Sequence, residues 1–388
     1  NALKDLPLVT SDININKIEV WVTNTTTNFE NCRNIVAFTD LGEGKDEWIY
    51  NDAKVQSSGY GAQYPDNTSN TLLNNMDENS IRSLNSVTSY LTSQGYTSGK
   101  DFEKLQKARK LSPSEYVLNS KLGFITLNIS LNANQTLAVA YQYTVIGQDK
   151  VYQVGEFSDQ NITDPNVLVT KLLKSTTINT KMPMWDLMMK NVYNIRAYQV
   201  SQNDFIMNIL YLGNNNGVAT GYFADAEGEL KGKSLIHLMN VDNLNSQNNP
   251  VEGGDGLFDF INGATTNGGT INSSTGRIYF PVLEPFGSHI RKIFENEPAL
   301  ADKYAFDSLY SLTKSSAEQY TEKNKFRLEG HYTSSSGSEI NLNALNVQPG
   351  SVNVSAGGVP LVENVDYTVD YTLGRVTILN EALLNSGT

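Results

Sequence analysis

The residues best suited to chemistry lie in one glycine-rich stretch in the second half of the chain. Asp242 and Asn243 are followed by Asp255 and Asp259, with glycines beside them. Calcium takes about six to eight oxygen ligands in loose geometry, and such side chains can provide them, although their order differs from that of an EF-hand loop. The alternative, which we favour, is that Asp and Asn bond to the backbone of their own turns. We therefore name the four residues as calcium candidates only and predict no other metal site.

Other residue types used in catalysis are isolated in this sequence. The histidines, His237, His289 and His331, are far apart, and none has the HxxxH or HExxH spacing that places two imidazoles on one helix face. His237 lies in an apolar run and is predicted to be a structural residue of a strand. Cys32, predicted to lie in a surface loop beside Arg33, has no candidate base nearby in the sequence.

These observations predict that the chain is not an enzyme. A hydrolase needs an acid, a base and a nucleophile that converge, and no serine lies in a GxSxG elbow. The glycine-rich stretches 253–256 and 268–269 lack the lysine of a P-loop and the strand-helix context of a dinucleotide fingerprint. We expect turns at both places and no bound cofactor.

Composition narrows the class of partner. The 388 residues carry a formal net charge of -12, and such a surface repels the phosphates that dominate nucleic-acid binding. Nucleic acid is therefore excluded as a partner. The single cysteine excludes an internal disulfide and multi-cysteine zinc sites. Because Asn1 is not preceded by a signal and the apolar run 382–384 stops abruptly, we expect a segment of a longer polypeptide.

The elements that position these residues include a pattern that occurs three times and predicts β-hairpins. In each copy an apolar residue lies five positions before a glycine, and alternating apolar residues follow that glycine. Glycine at a hairpin corner adopts a backbone conformation that other residues resist. The copies are Leu118, Gly123, Ile125 and Leu127; Ile271, Gly276, Ile278 and Phe280; and Val369, Gly374, Val376 and Ile378. Glu115-Tyr116 and Asp366-Tyr367 precede two of the glycines at the same distance.

Apolar periodicity predicts the elements of the first half. Residues 13–22 alternate with one slip in phase at 16–17, which predicts a bulged strand, and residues 34–39 are predicted to pair with it. The polar segment 42–80 is predicted to be a long surface loop or an Ω-loop. Helical spacing predicts short helices at 81–91 and 102–108, and period-two alternation predicts strands within 124–157.

The second half is predicted to mix short helices and strands. Helices are expected at 167–174, at 184–191 and through most of 285–323, and strands at 195–200, 205–212, 218–223 and beyond 325. The fold class is therefore β-rich α+β, with several small mixed or antiparallel sheet modules, repeated β-hairpins and short flanking helices. We predict an N-terminal α+β domain at 1–160, a central α+β domain at 161–325 and a small C-terminal β domain at 326–388.

Several longer phrases of the sequence resemble the SprA family, also called Sov. They occur in order along nearly the whole chain, and they are long enough to be specific. The phrases are Lys17–Asn24, Arg33–Phe38, Asp40–Gly42, Leu111–Tyr116, Leu137–Tyr141, Val154–Phe157, Phe280–Gly287 and Val365–Asn380.

SprA-type proteins are very large outer-membrane proteins that form the translocon of the type IX secretion system and support gliding motility. The resemblance implies that this chain is a water-exposed, non-barrel segment of that translocon, a structural and gating module at the cell surface or in the periplasm. Its implied partners are secreted cargo proteins, accessory translocon subunits and the rest of the same barrel polypeptide. The segment 42–80 is then the candidate contact element. The Tyr, Trp and Asn content leaves one alternative, a cell-surface carbohydrate- or adhesin-binding module.

Overall fold

The computed structural model describes residue 6 and residues 8–58, 64–213, 217–263, 268–333, 339–342 and 344–379. Strands make up 27% of the structure and helices 14%. The sheets are several and small, and most of their strand pairs are antiparallel. The predicted β-rich α+β fold is therefore confirmed. The chain divides into two compact units, residues 1–190 with 307–319 and residues 191–306 with 320–388.

The first unit is built around a sheet that closes on itself. Its strands are β1 Ile13–Val22, β2 Cys32–Phe38, β3 Phe102–Lys110, β4 Tyr116–Asn119, β5 Phe124–Leu127, β6 Leu137–Val145, β7 Val151–Val154 and β8 Leu168–Lys174. The closed sheet runs β1-β3-β2-β8-β6, and β6 pairs again with β1. One apolar cluster contains Trp21 of β1, Ile35 of β2, Leu105 of β3, Ala138 of β6 and Leu168 of β8. Because every strand of the closed sheet contributes to this cluster, it fills the interior.

The bulge predicted in the first strand is confirmed, but its predicted partner is wrong. The register of β1 against β6 shifts between Ile15 and Lys17. Residues 34–39 lie in and just after β2, which pairs with β3 and runs parallel to β8 instead of pairing with β1. Closure satisfies both edges of β1 with β3 and β6, so the neighbour in sequence is not the neighbour in the sheet.

Two helices predicted in this unit are strands. Phe102 packs in the cluster outside the closed sheet, whereas Leu105 and Ala108 pack inside it. This strand is buried on both faces only at its start, since Lys104 and Gln106 are exposed. The phase of its apolar residues resets where Lys107 has a φ of 49°. The apolar run predicted as a helix at 167–174 is β8, which is likewise buried on both faces at its start. The predicted helix at 184–191 is a 3-10 turn at Pro183–Trp185 followed by irregular backbone.

The segment 42–80 is not a loop without anchors. Ile49, Val55 and Leu72 are buried and pack with Phe38 and Val169 in a cluster outside the closed sheet. No apolar period marks this segment, because single anchors are separated by turns and by 3-10 turns at Asp46–Trp48 and Leu73–Asn75. The helix predicted at 81–91 is two short helices, α1 Glu78–Arg82 and α2 Val87–Ser93, separated by a turn at 83–86.

The second unit contains several small sheets and an aromatic core. Its strands are β9 Val192–Asn194, β10 Ile206–Tyr211, β11 Ile271–Asn272, β12 Arg277–Tyr279, β13 Phe326–His331, β14 Glu339–Asn341, β15 Ser355–Ala356, β16 Val359–Pro360, β17 Tyr367–Asp370 and β18 Arg375–Ile378. Beyond α2 the helices whose residues the structure describes throughout are α3 Leu235–Leu238, α4 Ser288–Ile293, α5 Pro298–Tyr304, α6 Ser308–Ser311 and α7 Lys314–Ala317, of which α6 and α7 belong to the first unit. A 3-10 turn spans Gly228–Leu230.

The core of the second unit is aromatic. Phe223 lies against Tyr304, with 4.4 Å between ring centroids, and Phe286 lies against Phe326, with 4.7 Å between ring centroids. The helical region predicted after Pro285 is confirmed.

The three predicted hairpins are present, with the predicted glycines at their corners. They are β4-β5, β11-β12 and β17-β18. Gly123, Gly276 and Gly374 have φ angles of 72°, 58° and 64°. In every copy the apolar residue five positions before the glycine pairs with the one two positions after it, as Leu118 pairs with Ile125.

Other predicted boundaries differ from the structure or fall outside it. Residues 195–200 and 218–223 are mostly irregular, with an isolated bridge at Thr220, whereas the strand predicted at 205–212 is β10. The predicted domain boundary near Gln160 falls between β7 and β8, both of which belong to one sheet. The apolar run at 382–384 and the residues after it lie outside the described residues.

Candidate functional site

The predicted acidic residues are brought together, and their carboxylates bond to backbone. Asp242, which is fully buried, accepts hydrogen bonds at Oδ1 from the backbone N–H of Asp255 at 2.9 Å and of Gly256 at 3.3 Å. Asp259, 7% exposed, accepts the N–H of Asn243 at 2.7 Å and of Leu244 at 3.1 Å. The two carboxylates thus tie two loops together, as a network of Asx turns does.

Burial raises the pKa of both groups. Loss of solvent raises the pKa of Asp259 to about 6, against the backbone hydrogen bonds that lower it. Burial also raises the pKa of Asp242, and the neighbouring Asp255 adds to that increase. Carboxylates that already hold two backbone amides have few lone pairs left for an ion.

The glycine between these loops is required by its surroundings. Gly254 has a φ of 74°, and a Cβ at this position would lie 2.2 Å from Oδ1 of Asp242. The described residues contain no group of three or more His, Cys, Asp or Glu side chains placed to hold a metal ion. Calcium binding by Asp242, Asn243, Asp255 and Asp259 therefore stays a prediction, and calorimetry with calcium is its test.

The histidines occupy three separate structural settings. His237 lies in α3, not in a strand, and its Nδ1 contacts the carbonyl of Asp242 at 2.6 Å. His289 Nε2 contacts the carbonyl of Leu238 at 2.7 Å, and burial lowers the pKa of this imidazole. His331 ends β13 and is exposed.

Cys32 is buried, which differs from the predicted surface loop. It is the first residue of β2 and is 8% exposed. Asn24 donates to its Sγ at 3.4 Å. The guanidinium of Arg33 donates to the carbonyls of Ser158 and Ile162, at 3.2 and 2.5 Å. Arg33, which follows Cys32 in the sequence, therefore anchors the loop that contains Ser158 and Ile162.

Sequence reasoning missed a buried ion pair in the first unit. Lys171, 8% exposed on β8, donates to Oε1 of Glu43 and to the carbonyl of Thr39. Oε2 of Glu43 is buried and has no hydrogen-bond partner in the part of the chain described. Burial raises the pKa of Glu43 to about 6, although Lys171 lowers it. An isolated lysine within an apolar run was the only available signal.

A second ion pair anchors a helix to the closed sheet. Arg82 at the end of α1 donates to both oxygens of Glu156, each at 2.6 Å, and to the carbonyl of Val167 at 2.9 Å. Glu156 also accepts the N–H of Val169 at 2.7 Å. This bidentate geometry is the stronger form of an arginine–carboxylate ion pair. It joins α1 to the segment between β7 and β8.

One open cavity of about 270 Å³ lies beside a group of stacked tyrosines. Tyr143 stacks on Tyr152 at 5.1 Å, and Tyr64 meets Tyr152 at 5.5 Å. The Nζ of Lys150 lies 4.5 Å from the ring centroid of Tyr152 and 3.3 Å from Asp66. The lining residues are Ser58, Tyr64, Thr68, Ser69, Gln148, Lys150 and Tyr152. Hydroxyl and amide groups beside aromatic rings can bind a neutral polar ligand such as a sugar.

Comparison with known proteins adds no assignment, because no protein-family model and no curated protein matches this chain. Within the part of the chain described, no helix is both long and apolar enough to cross a membrane.

Proposed function

We propose that this chain is a structural and gating segment of an outer-membrane protein translocon of the type IX secretion system. The support from sequence is the ordered set of phrases that resemble the SprA family. The support from structure is that several of these phrases form one framework. Lys17–Asn24, Arg33–Phe38 and Leu137–Tyr141 fall mainly in β1, β2 and β6, and Val154–Phe157 contains the glutamate that binds Arg82.

The observation that carries the proposal is the use of charged groups as internal ties. Arg82 and Glu156 join α1 to the sheet, Lys171 and Glu43 join β8 to the segment after β2, and Asp242 and Asp259 join two loops. Charged side chains that could take part in catalysis therefore stabilise the fold instead. A rigid, acidic framework acts on passing polypeptides by shape and by contact, so the proposed mechanism is steric, with contacts to secreted cargo or accessory subunits.

Replacement of the segment in the intact translocon tests this function. A full-length translocon in which residues 1–388 are exchanged for a flexible linker is expected to reach the outer membrane and to lose cargo export. Secreted cargo in the medium and translocon in the membrane fraction are measured together. The control carries only the exposed substitution Asp52→Asn. Normal cargo export by the exchanged translocon would reject the proposal.

A second candidate function, carbohydrate binding at the cell surface, is favoured by the cavity beside Tyr64 and Tyr152. Its test is a glycan array probed with the purified chain. Binding that is lost with Tyr64→Ala and kept with Tyr222→Ala, a change of a tyrosine that is 45% exposed elsewhere, would support it. A blank array would count against it.

A further inference from the structure

Two of the three hairpins also have in common a preceding strand and a segment that crosses the corner glycine. In both, a preceding strand pairs with the second hairpin strand, β9 with β12 and β14 with β18. The chain after that strand then crosses the glycine corner. Ile195 donates to the carbonyl of Gly276 at 2.9 Å, and Leu342 donates to that of Gly374 at 2.7 Å. The two crossing segments, 194–200 and 341–347, share Asn, Ala and Val at the same positions. They are copies of one module.

The copy in residues 192–280 shows what lies along the outer edge of its first hairpin strand. Tyr279 donates to the carbonyl of Thr270, so the backbone of Ile271 points away from β12. The N–H of Ile271 donates to the carbonyl of Ile261 at 3.2 Å, and Asn262 forms a parallel bridge with Ile271. An extended segment therefore covers this edge and runs parallel to it.

The same edge in the second copy is covered at Tyr367, whose carbonyl accepts the N–H of Asn364 at 2.6 Å. Among the described residues it is open at Val369, the next position that faces outward. Leu379 donates to the carbonyl of Asp366, so the backbone of Val369, the counterpart of Ile271, points away from β18. β17 ends the order β14-β18-β17, and among the described residues none pairs with it at Val369. An unpaired edge of this kind is a template for an added strand.

The second copy also lacks a core of its own. Among the described residues between Glu339 and Leu379, the buried apolar side chains are Tyr367 and Val376 alone. Seven large apolar side chains in the same span are at least 47% exposed, namely Ile340, Leu345, Val359, Val362, Val365, Leu373 and Leu379. So little buried area does not offset the conformational entropy of an ordered module. In the first copy Ile271, Ile278 and Phe280 are all fully buried.

The charge of the second copy indicates which kind of segment can bind at its edge. Residues 339–379 contain four acidic side chains and one basic side chain. The base, Arg375, pairs with Glu339 at 3.1 Å. Glu363 and Asp370 have no ion pair with any described lysine or arginine. A segment that carries lysine or arginine complements this edge, whereas a second copy of the same acidic module does not.

We propose that the outer edge of β17 binds an extended segment of a partner polypeptide with apolar residues alternating with lysine or arginine. The segment adds parallel to β17, as the residues at Ile261 add to β11. This inference rests on the module's own geometry and holds whether or not the chain belongs to a translocon.

The test uses the full chain and a synthetic peptide that alternates lysine and valine. Amide hydrogen exchange, read by NMR, is expected to slow at Val369 by about tenfold or more when the peptide is bound. A peptide that alternates glutamate and valine is expected to leave exchange at Val369 unchanged. This measurement needs no variant of the protein. Unchanged exchange with the lysine peptide would overturn the proposal, and so would equal slowing by both peptides.

Val369→Pro locates the binding edge. Proline removes the outward N–H and leaves the bonds between β17 and β18, because the bonded pair Asp366 and Leu379 makes Val369 and Val376 a non-hydrogen-bonded pair of the register. Affinity for the lysine peptide is expected to fall by about tenfold. Leu118→Pro, the equivalent change in β4, is expected to keep full affinity. Equal loss in both variants, or a chain that dimerises through β17 without peptide, would contradict a partner strand at this edge.

Discussion

Single residues in this protein show how buried charge is held in place. Lys171 lies on a strand that is buried on both faces, and its only described carboxylate partner is Glu43. Removal of one member of such a pair leaves an uncompensated charge in the interior. The pair is therefore costly to break even where it adds little net stability.

Lys171→Met is expected to lower the free energy of unfolding by about 3–5 kcal/mol. The double variant Lys171→Met, Glu43→Leu is expected to recover most of that loss, because neither charge of the pair then remains buried. Urea unfolding followed by circular dichroism measures both. A double variant as unstable as the single one would show that the pair itself, not the orphaned carboxylate, provides the stability.

Asp259 predicts how stability depends on pH. Its pKa of about 6 lies above the ordinary value of 3.8, so the folded chain binds this proton more tightly than the unfolded chain. The resulting stability is fully present below the unfolded pKa and is lost as pH rises through about 6. Glu43, with a pKa raised to about 6, acts in the same direction.

Asp259→Asn is expected to reduce the fall in melting temperature between about pH 4 and about pH 7, since the amide does not ionise. It is also expected to lower stability at all pH values by about 1–3 kcal/mol, because one backbone N–H loses its acceptor. Leu257→Asn, at an exposed site two residues away, is the control and is expected to keep the wild-type slope. An unchanged slope in Asp259→Asn would mean that Asp259 does not take up the proton.

At the scale of elements, the three hairpin corners require glycine for two different reasons. Gly123 has a positive φ with its nearest Cβ contact 3.9 Å away, at Ile15. At Gly276 and Gly374 a Cβ would also lie 2.3 and 1.7 Å from the carbonyls of Ala197 and Ala344. The latter two corners therefore require glycine for conformation and for the close approach of the crossing segment.

Gly123→Ala is expected to cost about 1–2 kcal/mol, the cost of a left-handed conformation for alanine. Gly276→Ala and Gly374→Ala are expected to cost clearly more, because the crossing segment must also move. Thermal unfolding of the three variants gives the comparison. Equal losses at the three positions would show that the crossing segments move aside freely.

The same scale shows where periodicity misled the prediction. Phe102, Leu105 and Ala108 have helical spacing, yet Phe102 packs outside the closed sheet and the other two pack inside it. Spacing distinguishes helix from strand only when one face is buried. The hairpins were predicted correctly because their signal, a glycine at a fixed distance from paired apolar residues, depends on local backbone alone.

At the scale of the whole molecule, the closed sheet sets the size of the first unit. β8 pairs with β2 and with β6, so it closes the sheet between them. A fragment that ends at the predicted boundary near Gln160 lacks this strand. Trp185 donates to the carbonyl of Tyr310 at 2.6 Å, so residues 307–319 also belong to this unit.

A fragment of residues 1–160 is therefore expected to be unfolded, whereas residues 1–190 joined by a linker to 307–319 are expected to fold. NMR amide dispersion distinguishes the two states. Fragment 1–190 without 307–319 is the matched control and is expected to have lower stability than the joined form. A dispersed spectrum from residues 1–160 would show that β8 is not required for closure.

The sequence alone determined what depends on neighbours along the chain: the glycine corners, the bulge at Ile15 and Lys17, the short helices α1 and α2, and the acidic balance. Backbone conformation and composition are local properties, so local residues specify them. The tertiary structure decided which strands became neighbours, that β3 and β8 are strands, that Lys171 meets Glu43, and that no described residue pairs with the outer edge of β17 at Val369. These features depend on closure of a sheet and on burial of both its faces, and residues far apart in sequence determine them together.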